Sequence, residues 1–542
     1  MAAWKEVSST PLPSPAVTRQ FNLADLFELV AAEAPDRLAV VAGERRLTFR
    51  DLDARTNQVG RWLLDHADPG AKVAIYSWNR AEWVEAFLGA FKARMVPVNL
   101  NYRYTGAELR YVIDNADAEI VVVERGFLPV LTEILADLPS VAHVLVLDDG
   151  TGPDSGVGVD YEQALAGVSS APLDIDRSPD DLFMLFTGGT TGMPKGVMWR
   201  HEDIYFAAMS GMKQDALESP EAIKGRVFPD ELVLSSFVGA PLMHGAAQWG
   251  LMSILLMGGT TVLYSAHGFD PVEVWQIVGR ERCSGISLVG DAMARPLADA
   301  LAGGIDADLS NLKMISSGGA VLSPAVKDEL RAHLPNVGIN DSFGASELGA
   351  SGSNTGSDAR RFVVTPEMNV LDDDLRPVVP SSGTIGRVAR TGHIPLGYYK
   401  DEAKTAATFV TDPEGHRWAV PGDFGTVEAD GTIQLLGRGS QCINTGGEKV
   451  YPEEVEEALK SHPAVFDALV VGVPDERFTE RIAAVVSLRP GTTVALEDLA
   501  AHCRQTLAGY KLPRQLTVVD VVRRTPAGKA DYRWAKETAA QG

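Results

Sequence analysis

Cysteine is scarce in this sequence, and its three cysteines, Cys283, Cys442 and Cys503, lie far apart. A set that is odd in number and widely spaced argues against a disulfide framework and against a cysteine-rich zinc site. Proteins without disulfides are typical of reducing compartments. We therefore expect a cytoplasmic protein.

Basic side chains are also in short supply. The chain has 49 Lys and Arg against 72 Asp and Glu, which gives a formal net charge of -23 at pH 7. Nucleic-acid binding usually depends on a basic stripe that neutralises backbone phosphates, and no part of this chain supplies one. We expect no nucleic-acid partner, and any bound phosphate must meet local donors.

Long apolar runs are missing as well. The most apolar stretch, residues 240–259, is interrupted by His244, Gln248 and glycines, and residues 1–15 contain no apolar core of a signal peptide. A membrane helix needs about 20 consecutive apolar residues. The sequence therefore predicts neither a membrane span nor export.

The 542 residues are too many for one ordinary core, and a content of 45% hydrophobic and 22% charged residues is typical of globular proteins. Strand-like runs at 71–77, 118–124, 142–148 and 260–265 alternate with helical patterns such as 80–93. This alternation predicts an α/β fold.

The pattern changes near residue 425, where two alternating segments flank Asp430 and Gly431 and predict a hairpin with a two-residue turn. A helix starting at Pro452, two strands, a second helix around 496–507 and a further strand follow. We therefore expect an N-terminal domain at residues 1–438 and a C-terminal α+β domain at 439–542.

The stretch TGGTTGMPKGV, residues 187–197, directly follows an apolar run at 182–186. Its glycines let backbone N–H groups approach phosphate oxygens, and its threonine hydroxyls add short donors. Lys195 stands between Pro194 and Gly196, so the stretch is not a Walker A loop. Taken alone, it indicates either a polyphosphate loop or a glycine-rich surface turn.

This loop resembles the signature of the adenylate-forming superfamily of acyl-CoA synthetases, luciferases and peptide-synthetase adenylation domains, with Gly188 in place of the usual serine. Further resemblances follow in the family's order and cover nearly the whole chain: PLMHG (241–245), SSGGA (316–320), DSFGASE (341–347), VPGDFG (420–425), GRGSQCINTGGEKVYPEEVE (437–456) and RTPAGKADYRWAKE (524–537). The resemblance implies a large adenylate-forming domain of layered sheets and helices, with a small mobile C-terminal domain.

The resemblance also implies a nucleotide site. Phe343 stands for the usual adenine-stacking tyrosine and Ser346 for the usual threonine, Asp423 would accept the ribose hydroxyls, and Glu347 would hold Mg²⁺. The implied ATP- and AMP-binding residues are Thr187, Gly188, Gly189, Thr190, Thr191, Gly192, Lys195, Gly318, Gly319, Ala320, Asp341, Ser342, Phe343, Gly344, Ala345, Ser346, Asp423 and Arg438.

The other implied roles concern the acid, the thiol and the domain movement. Lys529, Glu347 and His244 would be catalytic, and Ser440 would be the hinge, where relatives usually have Asp or Lys. The implied coenzyme A tunnel consists of Gly446, Gly447, Glu448 and Lys449, and the implied acyl pocket consists of His244, Gly245, Ala246, Gly318 and Gly344.

The resemblance implies an ATP-dependent acyl-CoA ligase, which joins a carboxylic acid to AMP with release of pyrophosphate and then transfers the acyl group to coenzyme A. Several stretches, among them 104–118 and 290–301, resemble actinobacterial ligases for steroid side chains and for polycyclic terpenoid acids of antibiotic biosynthesis. The small residues after His244 suit a wide pocket, although small residues are also common where helices pack closely. A homodimer is a possible assembly.

Alternatives stay open at this point. Phe237-Val238 lacks the aspartate with which amino-acid-activating relatives bind the substrate ammonium, and the final residues AAQG lack a peroxisomal tripeptide, which weakly disfavours a luciferase. The acid could instead be a medium- or long-chain fatty acid, and the acceptor a carrier protein. A catalytically silent nucleotide-binding regulator is a further alternative.

The hinge assignment predicts the effect of Ser440→Pro. Proline fixes φ near -65° and restricts the preceding residue, here Gly439, so the variant should trap one domain orientation. We expect one of the two half-reactions to slow strongly, as measured by separate single-turnover assays of adenylate and thioester formation. Wild-type rates in both assays would show that the hinge lies elsewhere.

Overall fold

The chain folds into three β-sheets covered by helices, as described by a computed structural model for residues 20–152, 156–187, 193–210, 217–356, 360–445, 448–475, 479–525 and 529–541. The side chains of Ser440, Lys449 and Thr479 lie outside this description. The expected α/β class, with a large N-terminal and a smaller C-terminal domain, is confirmed.

Strands are numbered in chain order among the described residues. They are β1 Leu38–Ala42, β2 Arg45–Thr48, β3 Lys72–Tyr76, β4 Val96–Asn99, β5 Ala118–Glu124, β6 His143–Leu147, β7 Val159–Asp160, β8 Leu182–Thr187, β9 Lys195–Arg200, β10 Ser235–Val238, β11 Thr260–Leu263, β12 Gly285–Leu288, β13 Met314–Gly318, β14 Gly338–Ala345, β15 Gly349–Asn354, β16 Arg361–Val364, β17 Met368–Leu371, β18 Gly386–Arg390, β19 Gly397–Tyr398, β20 Phe409–Thr411, β21 Arg417–Ala419, β22 Asp423–Val427, β23 Ile433–Arg438, β24 Ile443–Thr445, β25 Glu448–Val450, β26 Val465–Asp475, β27 Thr479–Leu488 and β28 Gln515–Val519.

The α-helices are numbered in the same way. They are α1 Leu23–Glu33, α2 Phe49–His66, α3 Ala81–Lys92, α4 Gly106–Asn115, α5 Leu128–Leu135, α6 Tyr161–Leu165, α7 His201–Ile204, α8 Gly245–Leu255, α9 Pro271–Arg280, α10 Gly290–Gly303, α11 Pro324–His333, α12 Glu402–Thr408, α13 Pro452–Lys460, α14 Leu496–Cys503 and α15 Tyr532–Gln541.

An eight-stranded sheet has the order β19-β9-β8-β4-β3-β5-β6-β7. Its central strands are parallel and apolar on both faces; the four residues Ile120 to Val123 of β5, for example, are fully buried. Such continuous apolar runs are expected where helices cover both faces of a parallel sheet. Strand β8 ends at Thr187, so the glycine-rich loop follows a buried strand as the sequence predicts.

A second sheet of the large domain contains the parallel series β11, β10, β12, β13 and β14. Strand β15 then pairs antiparallel to β14 and continues the sheet toward β23 and β22. Residues at the carboxyl ends of parallel strands meet at one edge of a sheet. Gly318 at the end of β13 and Ala345 at the end of β14 are therefore brought close together.

The hairpin of β22 and β23 differs from the prediction in the length of its turn. The Glu428 N–H donates to the carbonyl of Thr432, and the Gly431 N–H donates to the carbonyl of Glu428. The loop thus has three residues, and Gly431 has φ +82°, a conformation that favours glycine. The hairpin was predicted correctly, but the two-residue turn is wrong.

The small domain has its own sheet and core. Strands β24 to β28 form the sheet, and Val455, Leu459, Val470 and Val486 are buried together beneath α13 and α14. Pro452 is the first residue of α13, where a missing N–H costs nothing, as the sequence predicts. The division after Arg438 falls at the end of β23 and stays a prediction.

The three cysteines lie in different environments. Cys283 and Cys503 are buried, and burial raises the pKa of their thiols to about 12 and about 11, respectively. Cys442 is partly exposed and directly follows the short 3-10 turn Gly439–Gln441. Within the described ranges, no helix combines the length and the apolar character that crossing a membrane requires.

Candidate functional site

A cavity of about 300 Å³ opens in the large domain where β8, β13 and β14 end and α8 begins. The predicted site residues that line it come from five separate segments of sequence. They are Thr187, His244, Gly245, Ala246, Gly318, Gly319, Ser342, Phe343, Gly344, Ala345, Ser346 and Lys529. The structure therefore brings most of the implied acyl and adenine residues to one cavity.

Two of these glycines are required by close packing as well as by the cavity. A Cβ atom on Gly245 would overlap Leu185 of β8 and press on the Trp249 ring, so glycine allows α8 to approach the sheet. A Cβ atom on Gly344 would overlap the carbonyl of Gly349 where β14 and β15 pair with a local irregularity. Both glycines set the positions of the cavity walls.

His244 precedes α8 and lines the cavity. Its Nε2 atom is buried and has no hydrogen-bond partner among the described residues. Burial, with smaller contributions from Lys529 and Arg103, lowers the pKa of the imidazole to about 3. The side chain is therefore neutral at physiological pH, and it can pack against an acyl group or donate or accept a single hydrogen bond.

Among the described residues, Lys529 is the one lining residue of this cavity that belongs to the small domain. Its backbone N–H donates to Thr525 Oγ1 at 3.1 Å and its carbonyl accepts the Thr525 N–H at 2.7 Å, so these two hydrogen bonds fix the backbone at Lys529. Desolvation, with a smaller effect of Arg438, lowers the pKa of the ammonium, while Glu347 and Asp423 oppose that shift.

These charged groups form a cluster beside the cavity. Asp423 and Arg438 face each other across β22 and β23, with Arg438 Nε 3.3 Å from Asp423 Oδ1. The Tyr398 hydroxyl donates to Glu347 Oε1 at 2.7 Å. The pKa of Arg438 is raised because attraction to Asp423 and Glu347 outweighs desolvation, so the guanidinium stays charged. One cation, Arg438, and two carboxylates, Asp423 and Glu347, thus surround the place where Lys529 enters.

Lys195 lies close to Tyr398, the residue that contacts Glu347 in this cluster. It is the first residue of β9, its Nζ lies 2.6 Å from Asp401 Oδ2, and it also lies 5.7 Å from the centre of the Tyr398 ring. The hydrogen bond from Lys195 is the main cause of the lowered pKa of Asp401. An arriving phosphate would therefore compete with Asp401 for this ammonium.

Some predicted residues do not reach the cavity. Asp341 is 3% exposed and does not line the cavity, and burial raises the pKa of its carboxyl to about 7. Ala320 does not line the cavity, and Glu448 is exposed on β25. The predicted roles of Gly188, Gly189, Thr190, Thr191, Gly192, Gly446 and Gly447, and of the Ser440 and Lys449 side chains, lie outside the described residues.

Part of the cavity wall was not predicted from the sequence. Trp249, Gly250 and Ser253 of α8 line the cavity together with Ala208. Ala246, Gly250 and Ser253 are spaced four and three residues apart, which places them on one face of the helix. That spacing was visible in the sequence. Tyr398 contacts Glu347, and Asp401 contacts Lys195. No sequence pattern pointed to either contact.

The donor set fits a magnesium ion that is held mainly by substrate. In the described part of the chain, no three acidic, histidine or cysteine side chains come together as a metal cage. Glu347 uses one carboxylate oxygen for Tyr398, and its second oxygen is available beside Lys529 and Arg438. One carboxylate plus phosphate oxygens is an ordinary Mg²⁺ arrangement.

Comparison with known proteins agrees with this geometry. A family model described as AMP-binding enzyme matches residues 27–399, and one described as AMP-binding enzyme C-terminal domain matches residues 454–529. The chain is 45% identical over 540 residues to a 3-oxocholest-4-en-26-oate–CoA ligase of Rhodococcus rhodochrous, with 95% of each chain covered.

A second relative is a medium/long-chain-fatty-acid–CoA/3-oxocholest-4-en-26-oate–CoA ligase of Mycobacterium tuberculosis, which is 45% identical over 95% of this chain and 96% of its own length. Among solved structures, the anthranilate CoA ligase AuaEII in complex with anthranoyl-AMP superposes with a TM-score of 0.82 at 23% identity, covering 96% of this chain and 98% of that one. At that identity the likeness shows the fold alone.

The neutral state of His244 predicts a pH effect on stability. Its pKa falls from 6.5 to about 3 on folding, so protonation favours the unfolded chain, and the contribution is present above pH 6.5 and is lost as the pH falls toward 3. Replacing His244 by Gln should remove about 2 kcal/mol of the stability loss between pH 7.5 and pH 5. Urea unfolding of both proteins at the two pH values measures this difference; equal losses would contradict it.

Proposed function

This chain belongs to the family of AMP-binding enzymes, and from that premise we propose that it is an ATP-dependent acyl-CoA ligase for bulky apolar carboxylic acids. Its full-length relatives are CoA ligases, so its enzyme class is that of an AMP-forming acyl-CoA synthetase with ATP and coenzyme A as substrates. The observation that carries the proposal is the entry of Lys529 into a cavity that Thr187, Gly318, Phe343 and His244 also line.

In the first half-reaction a carboxylate oxygen attacks the α-phosphorus of ATP, and pyrophosphate leaves. Lys529 would lie between the carboxylate and the α-phosphate and offset their charges, because it is the cation that enters the cavity from the small domain. Lys195 would exchange Asp401 for the β- and γ-phosphates, and Asp423 would accept the ribose hydroxyls.

Glu347 would hold Mg²⁺, which neutralises phosphate charge when bound. Tyr398 fixes the orientation of that carboxylate through its hydrogen bond. In the second half-reaction the thiol sulfur of coenzyme A attacks the acyl carbon, and AMP leaves with the electron pair of the broken C–O bond. We place the hinge at Ser440 and the thiol tunnel at residues 446–449. A cytoplasmic location and a homodimer also belong to this proposal.

The shape of the acyl wall supports a bulky substrate. A Cβ atom on Gly250 would meet no atom within 4 Å, so this position leaves open space in the cavity. Ala246 and Ser253 are the neighbouring positions on the same face of α8. Two relatives at 45% identity are named for a steroid acid, one of them also for fatty acids. We propose steroid or diterpenoid acids as preferred substrates and fatty acids as the second candidate.

A substrate panel tests the proposed function. We expect a higher kcat/KM for a steroid or diterpenoid acid than for octanoate and palmitate, because a filled wide pocket gains roughly 25 cal/mol for each Å² of apolar surface buried. The measurement is pyrophosphate release with coenzyme A present, together with thioester detection by mass spectrometry. Higher efficiency with both fatty acids would overturn the substrate class, and no thioester from any acid would overturn the function.

Gly250→Leu tests the wall directly. The leucine side chain would extend into the open space, so kcat/KM for the steroid acid should fall roughly tenfold or more, while octanoate should be affected less. Gly303→Leu is the matched control, because Gly303 is also helical and also has no atom within 4 Å of a Cβ position, but it does not line the cavity. Equal effects on both acids would mean that Gly250 does not limit pocket size.

Lys529→Ala tests the division of labour between the half-reactions. Loss of one preorganised charge contact typically costs ~3 to 4 kcal/mol, so adenylate formation should slow roughly 10² to 10³-fold. A chemically prepared acyl-adenylate should still react with coenzyme A at a near wild-type rate, because the proposed lysine contacts belong to the first step. Equal losses in both assays, or no loss in either, would contradict the assignment.

A further inference from the structure

A cluster of ion pairs joins the two domains on the side of α10 and α11. Arg489 Nη2 of the small domain lies 3.0 Å from Glu329 Oε1 of the large domain, and Lys460 Nζ lies 3.7 Å from Asp291 Oδ2. Arg360 Nε lies 2.9 Å from Glu457 Oε2. We call these three pairs the interdomain ion pairs. They connect α10, α11 and Arg360 to α13 and to the residue after β27.

Glu329 occupies the centre of this contact. Its Oε1 atom accepts a hydrogen bond from Arg489 of the small domain and also lies 3.5 Å from Arg295 Nη1 of its own domain. Arg295 is 2% exposed, its guanidinium lies 5.4 Å from the ring centre of Phe466 in the small domain, and its Nη atoms have no hydrogen-bond partner among the described residues. A buried cation depends on such neighbours, because desolvation disfavours it.

Asp291 links the same contact to the cavity. Its Oδ1 atom accepts the N–H of Ser323 at 2.7 Å, and its own N–H donates to the Val321 carbonyl at 3.0 Å. The preceding residue, Gly290, donates its N–H to Ser317 Oγ, and Ser317 lines the cavity. The carboxylate that faces Lys460 therefore also contacts the loop after β13, which begins at Gly319.

We propose that Arg489, Glu329, Lys460 and Asp291 are positioning residues for Lys529. The small domain contributes Lys529 to the cavity and contacts the large domain through these pairs, so the pairs set how much of the time the lysine occupies the cavity. This inference rests on the proposed function, because it assumes that Lys529 acts in adenylate formation. The positioning residues themselves do not line the cavity.

The test uses a graded series at Arg489 in the full-length enzyme. Arg489→Lys keeps the charge, Arg489→Met removes it, and Arg489→Glu places a carboxylate against Glu329. Because partly exposed ion pairs are weak, we expect adenylate formation to slow roughly two- to fivefold in the Met variant and more in the Glu variant, with the Lys variant near wild type. Arg489→Glu combined with Lys460→Glu should slow it roughly tenfold or more.

Two controls separate positioning from general destabilisation. Arg481→Met removes an arginine whose partners, Asp475 and Gln515, both lie within the small domain, and it should leave both half-reactions unchanged. In every variant the conversion of a prepared acyl-adenylate to the thioester should stay at the wild-type rate, and KM for ATP should change less than kcat. A merely structural role would slow both steps and lower Tm.

The outcomes also separate this inference from the proposed function. If Lys529→Ala slows adenylate formation while the whole Arg489 series does not, the positioning role is wrong and the function stands. If Lys529→Ala itself has no effect, the proposed catalytic role of Lys529 is wrong, and the positioning role that depends on it is wrong as well. A graded loss confined to adenylate formation, with partial recovery in Arg489→Lys, supports the inference.

Discussion

The arrangement of this protein depends on one electrostatic requirement: a lysine ammonium carried by a small domain must reach a cavity whose walls belong to a large one. Burial disfavours the charge of Lys529 and lowers its pKa, Arg438 adds to that effect, and Glu347 and Asp423 oppose it. The site therefore contains a cation whose charged form is partly disfavoured until an anion arrives. Carboxylate and phosphate oxygens are the anions that would complete this balance.

The walls of the cavity are set by close backbone packing. Gly245 allows α8 to lie against β8, and Gly344 allows β14 and β15 to pair at their irregular step. Each position therefore has a structural reason for glycine besides its place in the site. The same helix provides a neutral histidine at its start and open space at Gly250 two turns later. In the function we propose, catalysis and acyl size would thus depend on different parts of one helix.

The sequence predicts the residues that line the site better than it predicts the residues that hold them in place. The motif residues Thr187, Gly318, Phe343 and Lys529 do meet at one cavity, because the first three lie at or near the carboxyl ends of β8, β13 and β14. Asp341 lies in the same motif as Phe343 and, two residues earlier on β14, on the same face of the strand, yet it is buried and does not line the cavity. A motif names a segment, and only the three-dimensional structure says which of its side chains reach the cavity.

Contacts between residues far apart along the chain could not be predicted from the sequence. Tyr398 and Asp401, which hold Glu347 and Lys195, are about fifty and two hundred residues away from them along the chain and lie outside the motifs identified in the sequence. The hairpin turn was mispredicted by one residue, because Asp-Gly suits both two-residue and three-residue loops, and Gly431 adopts the left-handed conformation in either. Contacts between distant segments can be identified only when the three-dimensional structure is known.

The different burial of the cysteines has a practical consequence for observing domain movement. Burial raises the pKa of the Cys283 and Cys503 thiols, so almost none of their population is the reactive thiolate at neutral pH. Maleimide dyes should therefore label Cys442 preferentially, since it is the partly exposed cysteine and directly follows the turn Gly439–Gln441, where we propose the hinge. The native sequence thus offers a single attachment point for a fluorescent reporter of the proposed hinge, without prior removal of other thiols.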